Sequence, residues 1–246
     1  MANIQDIRDQ TKKLKLELTR FMMNYSFALD EIGTKVKILK EEFHLIHDYN
    51  PIEHVNSRLK TPESIFKKIQ RKNLSFDLDV IKNNIQDIAG IRITCSFVSD
   101  IYRIQEMISK QSDIQVIDIK DYIKTPKSSG YQSLHLILSV PVFLSDREES
   151  VFVEMQIRTI AMDFWASLEH KIYYKYKKEI PKHLTDELLE AAKTAALLDM
   201  KMESLNDEIN ILKAADQEPI STSISADAAR LYSALKEIDM SHFEDK

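Results

Sequence analysis

The stretch Val151-Phe-Val-Glu-Met-Gln-Ile-Arg-Thr159 alternates apolar and polar side chains. In a strand, successive side chains point to opposite faces. Val151, Val153, Met155 and Ile157 therefore share one face, and Phe152, Glu154, Gln156 and Arg158 share the other. A carboxylate, an amide and a guanidinium inside an apolar run are costly to bury unpaired. The second face is thus expected to line a cleft that holds a metal, a phosphate or both. A half-exposed sheet face is the plainer alternative for Glu154.

Further strands are expected at 90–98, 114–120 and 133–140, with a helix near 99–110 between the first two. Upstream, the first 47 residues read as helices: Leu14, Leu18, Phe21, Met22 and Tyr25 recur near helical spacing, and a second run covers Phe27 to Ile46. Asn50-Pro51 breaks that pattern. Thr61-Pro62 starts another helix, with Ile65, Phe66 and Ile69 on one side and Ser64, Lys68 and Arg71 on another. The chain turns helical again after 160, with Phe164, Trp165 and Leu168 on one side, and a long helix runs from Thr185 to Leu212. Ala214 to Ser225 reads as a linker, and the rest, to Lys246, as a loosely attached helix and frayed end. This order gives an α+β fold, a mixed sheet of about five strands flanked by helices. Its expected divisions are an N-terminal helical extension at 1–49, a catalytic domain at 50–184 and a C-terminal helical extension and tail at 185–246.

Composition narrows the chemistry. The 246 residues include three glycines, Gly33, Gly90 and Gly130, which leaves no glycine-rich phosphate loop. Any phosphate must be held by side chains. The single cysteine, Cys95, sits in an apolar run as an inert strand residue and excludes an internal disulfide. No signal peptide is evident and no apolar stretch approaches the ~18 residues of a membrane span, so a cytoplasmic setting is expected. The net charge of −5 argues against a general nucleic-acid binder. Yet Arg58, Lys60, Lys67, Lys68, Arg71 and Lys72 face one acid, Glu63, between 58 and 72, a local charge of +5 suited to a small polyanion.

Two clusters carry candidate chemistry. Asp87 stands at the mouth of the first strand, and Arg92 projects from the face opposite Ile91 and Ile93. A carboxylate there and a second in a neighbouring strand, Glu154, form a two-sided arrangement suited to Mg²⁺, which takes its remaining ligands from waters and substrate phosphates. A turn cap is the alternative role for Asp87. In the second cluster, a loop marked by Pro126, Ser128, Ser129 and Gly130 leads to Tyr131, Ser133 and His135 on one face, opposite Leu134, Leu136 and Leu138. Tyr131 can stack on a base. Lys127 can reach a phosphate. With no nucleophile triad and no zinc spacing, the set fits phosphoryl or pyrophosphoryl transfer between nucleotides, a chemistry of positioning and charge neutralisation.

Five ordered motifs, Ser57-Arg-Leu-Lys60, Asp87-Ile-Ala-Gly-Ile-Arg92, Gly130-Tyr-Gln-Ser-Leu-His135, Glu154-Met-Gln-Ile-Arg-Thr159 and Phe164-Trp-Ala-Ser-Leu-Glu-His170, resemble the synthetase domain of the Rel/SpoT ppGpp synthetases. The similarity runs from about 50 to 200, and the short chain looks most like the small alarmone synthetases of the RelP branch. The resemblance implies a nucleotidyltransferase-like fold, Mg²⁺, and transfer of the β,γ-pyrophosphate of ATP to the 3′-hydroxyl of GDP or GTP in the stringent response. It implies that Arg58 and Arg92 sandwich adenine and that Lys60, Ser64, Lys68 and Arg71 hold the ATP phosphates. Asp87 and Glu154 would bind the metal, with Glu154 also helping to deprotonate the acceptor. Tyr131 would stack on guanine, Asp163 would meet its edge, and Lys127, His135, Gln156 and Arg158 would orient the acceptor. A homotetramer built through the terminal helices is also implied.

Gln132 stands where many small synthetases carry arginine, and Asp163 where some relatives carry asparagine. His47-Asp48 is similar to the histidine-aspartate pair of the family's hydrolase domain, but one pair cannot build that manganese site, so synthesis without hydrolysis is expected. Two rivals stand beside this reading: a non-catalytic nucleotide- or RNA-binding oligomeric module, and a nucleotidyltransferase that moves a nucleoside monophosphate.

Overall fold

A computed structural model of the chain describes residues 4–174 and 180–216. Its elements in order are α1 (Ile4–Ile46), β1 (Ile52–Leu59), α2 (Pro62–Lys72), α3 (Leu78–Asn84), β2 (Ala89–Cys95), α4 (Val98–Ser109), β3 (Gln115–Asp121), β4 (Leu134–Phe143), β5 (Glu148–Thr159), α5 (Ile160–Tyr174) and α6 (Lys182–Asp216). The chain divides into a compact unit from Met1 to Ser204 and a second from Leu205 to Lys246. In the second, the described residues continue α6, with Leu205, Ile209 and Leu212 exposed. The linker expected from Ala214 begins inside α6, which runs to Asp216, and the rest of it and the tail lie outside the described residues, as do residues 175–179.

The five strands form one mixed sheet in the order β1-β2-β5-β4-β3, in which β2 and β5 run parallel and the other neighbours antiparallel. The central strand β5 behaves as its alternation requires: Val151, Val153, Met155 and Ile157 are buried in the core, while Glu154 and Gln156 are only partly covered on the other face. Leu134, Leu136 and Leu138 of β4 and Ile91 and Ile93 of β2 join the same core, closed by Ile101, Ile104 and Ile108 of α4 and by Tyr25, Ala28, Ile32, Val36 and Phe43 of α1.

Where the structure differs from the periodicity, burial is the reason. The N-terminal helices are one helix of 43 residues, with Leu14 and Leu18 exposed and the core face starting near Tyr25. Strand β1, which the pattern did not reveal, has Ile52 as its only buried side chain and so carries no clear apolar alternation. In α2, Ile65 and Ile69 are buried, whereas Phe66 is exposed beside Phe76. In α5, Trp165 is buried and Phe164 and Leu168 are exposed. Thr61 caps α2 as expected, its hydroxyl accepting from the Ser64 N–H, with proline in the first turn.

Candidate active site

Sheet register assembles the site. On the face away from the core, one row runs Arg58, Gly90, Glu154 across β1, β2 and β5, and the next runs Asn56, Arg92, Gln156, His135 across β1, β2, β5 and β4. The Arg58 side chain lies over Gly90, 3.7 Å from where a Cβ would stand. Asn56, Arg58, Gly90, Arg92, Glu154 and Gln156 line a cavity of about 150 Å³. A second cavity of about 430 Å³ shares Arg58, Arg92 and Gln156 and adds Tyr131, Arg158 and the α5 residues Ser167, Glu169, His170 and Lys171. The two form a cleft with a cationic and aromatic lining.

Asp87 sits in the turn before β2. Its Oδ2 is 2.6 Å from both Lys60 Nζ and Lys68 Nζ. Burial would raise the Asp87 carboxyl, but the two ammonium groups outweigh it and hold the pKa below the ordinary 3.8. Burial lowers Lys60 in turn, with Asp87 opposing that shift and Lys68 and Arg58 adding to it. The opposite demands reconcile because one carboxylate faces two cations: the anion is strongly favoured, while each cation has cationic neighbours. The other oxygen, Asp87 Oδ1, is buried with no hydrogen-bond partner.

Glu154 is fixed from both ends of its carboxylate. Oε2 accepts from Gln156 Nε2 at 2.8 Å, and His135 Nδ1 lies 3.5 Å from Oε1. Burial raises its pKa and nearby Asp87 adds to that, but His135 and Gln156 together leave it below the ordinary 4.5. Glu154 is therefore a carboxylate at neutral pH.

A second cluster, on the Tyr131 side of the cleft, is tied together by Arg158, which is 4% exposed. Its guanidinium donates to Tyr131 Oη at 2.6 Å, Gln156 Oε1 at 2.8 Å, Asp163 Oδ1 at 3.1 Å and Ser133 Oγ at 3.3 Å. Arg92 Nη1 reaches the same Asp163 oxygen at 3.1 Å. Tyr131 Oη, which accepts from Arg158, also lies 2.8 Å from His135 Nε2 and donates to it when that nitrogen carries no proton. In the neutral imidazole the remaining proton then sits on Nδ1, which faces Glu154. A chain of polar contacts thus runs Arg158, Tyr131, His135, Glu154. Lys127 Nζ lies 4.6 Å from the centre of the Tyr131 ring and 4.5 Å from that of Tyr122.

Of the expected site residues, Lys60 and Lys68 converge on Asp87, and Arg58, Arg92, Gln156, Tyr131, His135, Glu154, Asp163 and Arg158 share the cleft or its hydrogen bonds. Ser64 sits in the first turn of α2, where its hydroxyl accepts from Thr61, and Arg71 lies exposed in the last turn. Sequence reading did not single out His170, the last residue of the fifth motif, or Lys171 beside it as site residues; only the path of α5 past Arg158 brings them to the cavity wall.

A model described as the region found in RelA/SpoT proteins matches residues 57–179. The GTP pyrophosphokinase YwaC of Bacillus subtilis (strain 168) is 50% identical over 210 residues, which is 85% of this chain and 98% of the relative. The crystal structure of small alarmone synthetase 2 from Bacillus subtilis is similar with a TM-score of 0.72 at 49% identity, covering 78% of this chain and 99% of that one. Small alarmone synthetase 1 from the same organism, bound to its product pppGpp, gives a TM-score of 0.73 at 39% identity, covering 78% and 98%. The mixed five-stranded α+β architecture is thus that of the small alarmone synthetases, and the chain belongs to the RelA/SpoT family.

Proposed function

We propose that the chain is a GTP pyrophosphokinase of the stringent response, which transfers the β,γ-pyrophosphate of ATP to the 3′-hydroxyl of GDP or GTP. The bond formed joins the 3′-oxygen to the β-phosphorus, and the bond broken joins that phosphorus to the oxygen that leaves on AMP. The products are AMP and ppGpp from GDP or pppGpp from GTP. The observation that carries the reading is the nearness of two ionised carboxylates, Glu154 in the cleft, held by His135 and Gln156, and the half-unpartnered Asp87, whose charge Glu154 feels. The near full-length similarity to a GTP pyrophosphokinase supports it.

In this reading Glu154 accepts the proton of the acceptor hydroxyl, and its depressed pKa keeps it in the form that can do so. Arg58 and Arg92, which flank the smaller cavity, sandwich adenine, while Lys60, Ser64, Lys68 and Arg71 hold the ATP phosphates. Phosphates arriving there give Lys60 and Lys68 anionic partners besides Asp87. Tyr131 stacks on guanine, Asp163 accepts from its edge, and Lys127, His135, Gln156 and Arg158 orient the acceptor. The buried, unpartnered Asp87 Oδ1 and the neighbouring Glu154 suit a hard divalent cation, Mg²⁺, which prefers few carboxylates and completes its shell from water and phosphate. Bound there, Mg²⁺ would neutralise charge on the transferring phosphates.

Assembly as a homotetramer through the terminal helices belongs to the same proposal, supported by Leu14, Leu18, Leu197 and Leu198 standing exposed on α1 and α6. So does synthesis without hydrolysis: His47, of the histidine-aspartate pair, packs its ring against Phe43 at 5.0 Å. A cytoplasmic setting completes it, and among the described residues no helix is long and apolar enough to cross a membrane. The test is incubation with ATP, Mg²⁺ and GDP or GTP, followed by anion-exchange separation. Equimolar AMP and a 3′-diphosphorylated guanosine product are expected. Tight binding of both nucleotides without product would favour the binding-module alternative.

A further inference from the structure

The helix α6 meets the acceptor half of the site along one stripe. Ala192, Ala195, Asp199 and Glu203 recur at spacings that place them on one side of a helix. Ala192 packs with Trp165 and Ala166 of α5, and Tyr131 lies against that cluster. The approach is so close that a Cβ added to Gly130 would stand 2.4 Å from the Ala192 Cβ. Gly130 has φ +87°, a conformation that glycine adopts without strain, and it directly precedes Tyr131. Trp165 Nε1 donates to the Leu188 carbonyl at 3.2 Å, a second tie between α5 and α6.

Two carboxylates end the stripe, and each docks at the N-terminus of another helix. Glu203 accepts from the Ser99 N–H in the first turn of α4 at 2.9 Å. Asp199, 9% exposed, accepts a hydrogen bond from the Thr159 hydroxyl at 2.6 Å. The Thr159 oxygen in turn accepts from the Met162 N–H at 3.1 Å, capping the start of α5. The next residue is Asp163, which holds both Arg92 and Arg158. A carboxylate is well placed at a helix N-terminus, and here it orients the capping hydroxyl.

We propose that Asp199 is a positioning residue for the acceptor site: through Thr159 it fixes the first turn of α5, and with it Asp163 and the Arg158 cluster that orders Tyr131. The same stripe presses Ala192 against Gly130, so α6 sets the acceptor half from two sides. Of the donor residues, Lys60, Ser64 and Lys68 lie outside these contacts, and Arg92 joins them only through its one bond to Asp163. The inference rests on the acceptor being a guanine nucleotide, as proposed above.

Its test is equilibrium binding of GDP and, separately, of a non-hydrolysable ATP analogue to the full chain, with emission of Trp165, the single tryptophan, as a report on α6 docking. Asp199→Ala is expected to weaken GDP about five- to tenfold, the scale of a lost helix cap, to weaken the ATP analogue markedly less, since only Arg92 links that side to Asp163, and to red-shift Trp165. Asp199→Asn, which keeps an acceptor for the Thr159 hydroxyl, restores most of the GDP affinity. Thr159→Val, nearly isosteric, should repeat the selective loss even if the alanine variant does not fold. Equal weakening of both nucleotides, or unchanged GDP binding in both Asp199→Ala and Thr159→Val, would overturn the proposal. A wild-type chain that binds no guanine nucleotide would instead overturn the functional reading beneath it, before any variant is compared.

Discussion

Arg158 grips Tyr131 twice, donating to its hydroxyl at 2.6 Å and lying with Cζ 5.1 Å from its ring centre. The contact holds the aromatic plane in the cleft, with the phenol oxygen 2.8 Å from His135 Nε2. Stacking and hydrogen bonding can therefore be separated. Tyr131→Ala is expected to raise the acceptor KM by a factor equivalent to ~1–3 kcal/mol of lost stacking, with the ATP KM unchanged. Tyr131→Phe should keep the acceptor KM near wild type and lower kcat, because it breaks the chain to Glu154. Steady-state kinetics with each substrate varied in turn distinguishes the two.

Glu154 is the group whose loss should damage chemistry more than binding. Glu154→Gln is expected to lower kcat by ~10²–10³-fold, the range for losing one group that acts in the transition state, while Kd values for both nucleotides stay within a few-fold by the same reasoning. Retention of wild-type turnover would remove Glu154 from the proposed role.

The pH dependence follows from the same carboxylate. Burial raises its pKa, but His135 and Gln156 hold it below 4.5. The active form is thus present from neutral pH down past 4.5 and is lost as pH falls through the depressed value. His135→Ala removes the largest lowering contribution, so the acid limb of the kcat/KM profile should move to higher pH. For stability, the depressed pKa values of Asp87 and Glu154 contribute at pH above their unfolded values, a contribution lost on acidification through the folded ones.

The β5 alternation was legible because its two faces differ in kind: four aliphatic side chains against Glu154, Gln156 and Arg158. So were the leucines of β4 and the basic face of α2, whose period reports burial directly. β1 was not, since an edge strand with a single buried side chain has no period to read. The bond from Thr159 to Asp199 was equally invisible, because 40 residues separate two polar side chains that meet only when α6 folds back on α5. The pairing of Lys60 and Lys68 with Asp87 needed the structure too: sequence put these lysines on phosphate and the aspartate on metal, and only geometry brings the three together.

That triad makes a further prediction. Lys68→Met leaves Asp87 with one ammonium, so its pKa should rise, and the donor phosphates lose a charged hydrogen bond worth ~1.5–3 kcal/mol. ATP affinity measured by calorimetry should fall about ten- to a hundredfold, with GDP affinity unchanged.

Gly130 offers a stability test independent of catalysis. Its φ of +87° and the 2.4 Å approach of Ala192 both oppose a side chain. Gly130→Ala should destabilise the fold by ~1–3 kcal/mol, the cost of a strained backbone conformation, read as a lower Tm. An unchanged Tm would mean that α6 does not press on this turn.

The most direct test of pyrophosphate transfer follows the label. With ATP labelled at the γ-phosphate, radioactivity should pass to the guanosine product; with ATP labelled at the α-phosphate, it should remain in AMP. Transfer of the α-label to the acceptor, with release of free pyrophosphate, would instead identify nucleoside monophosphate transfer and contradict the proposed reaction.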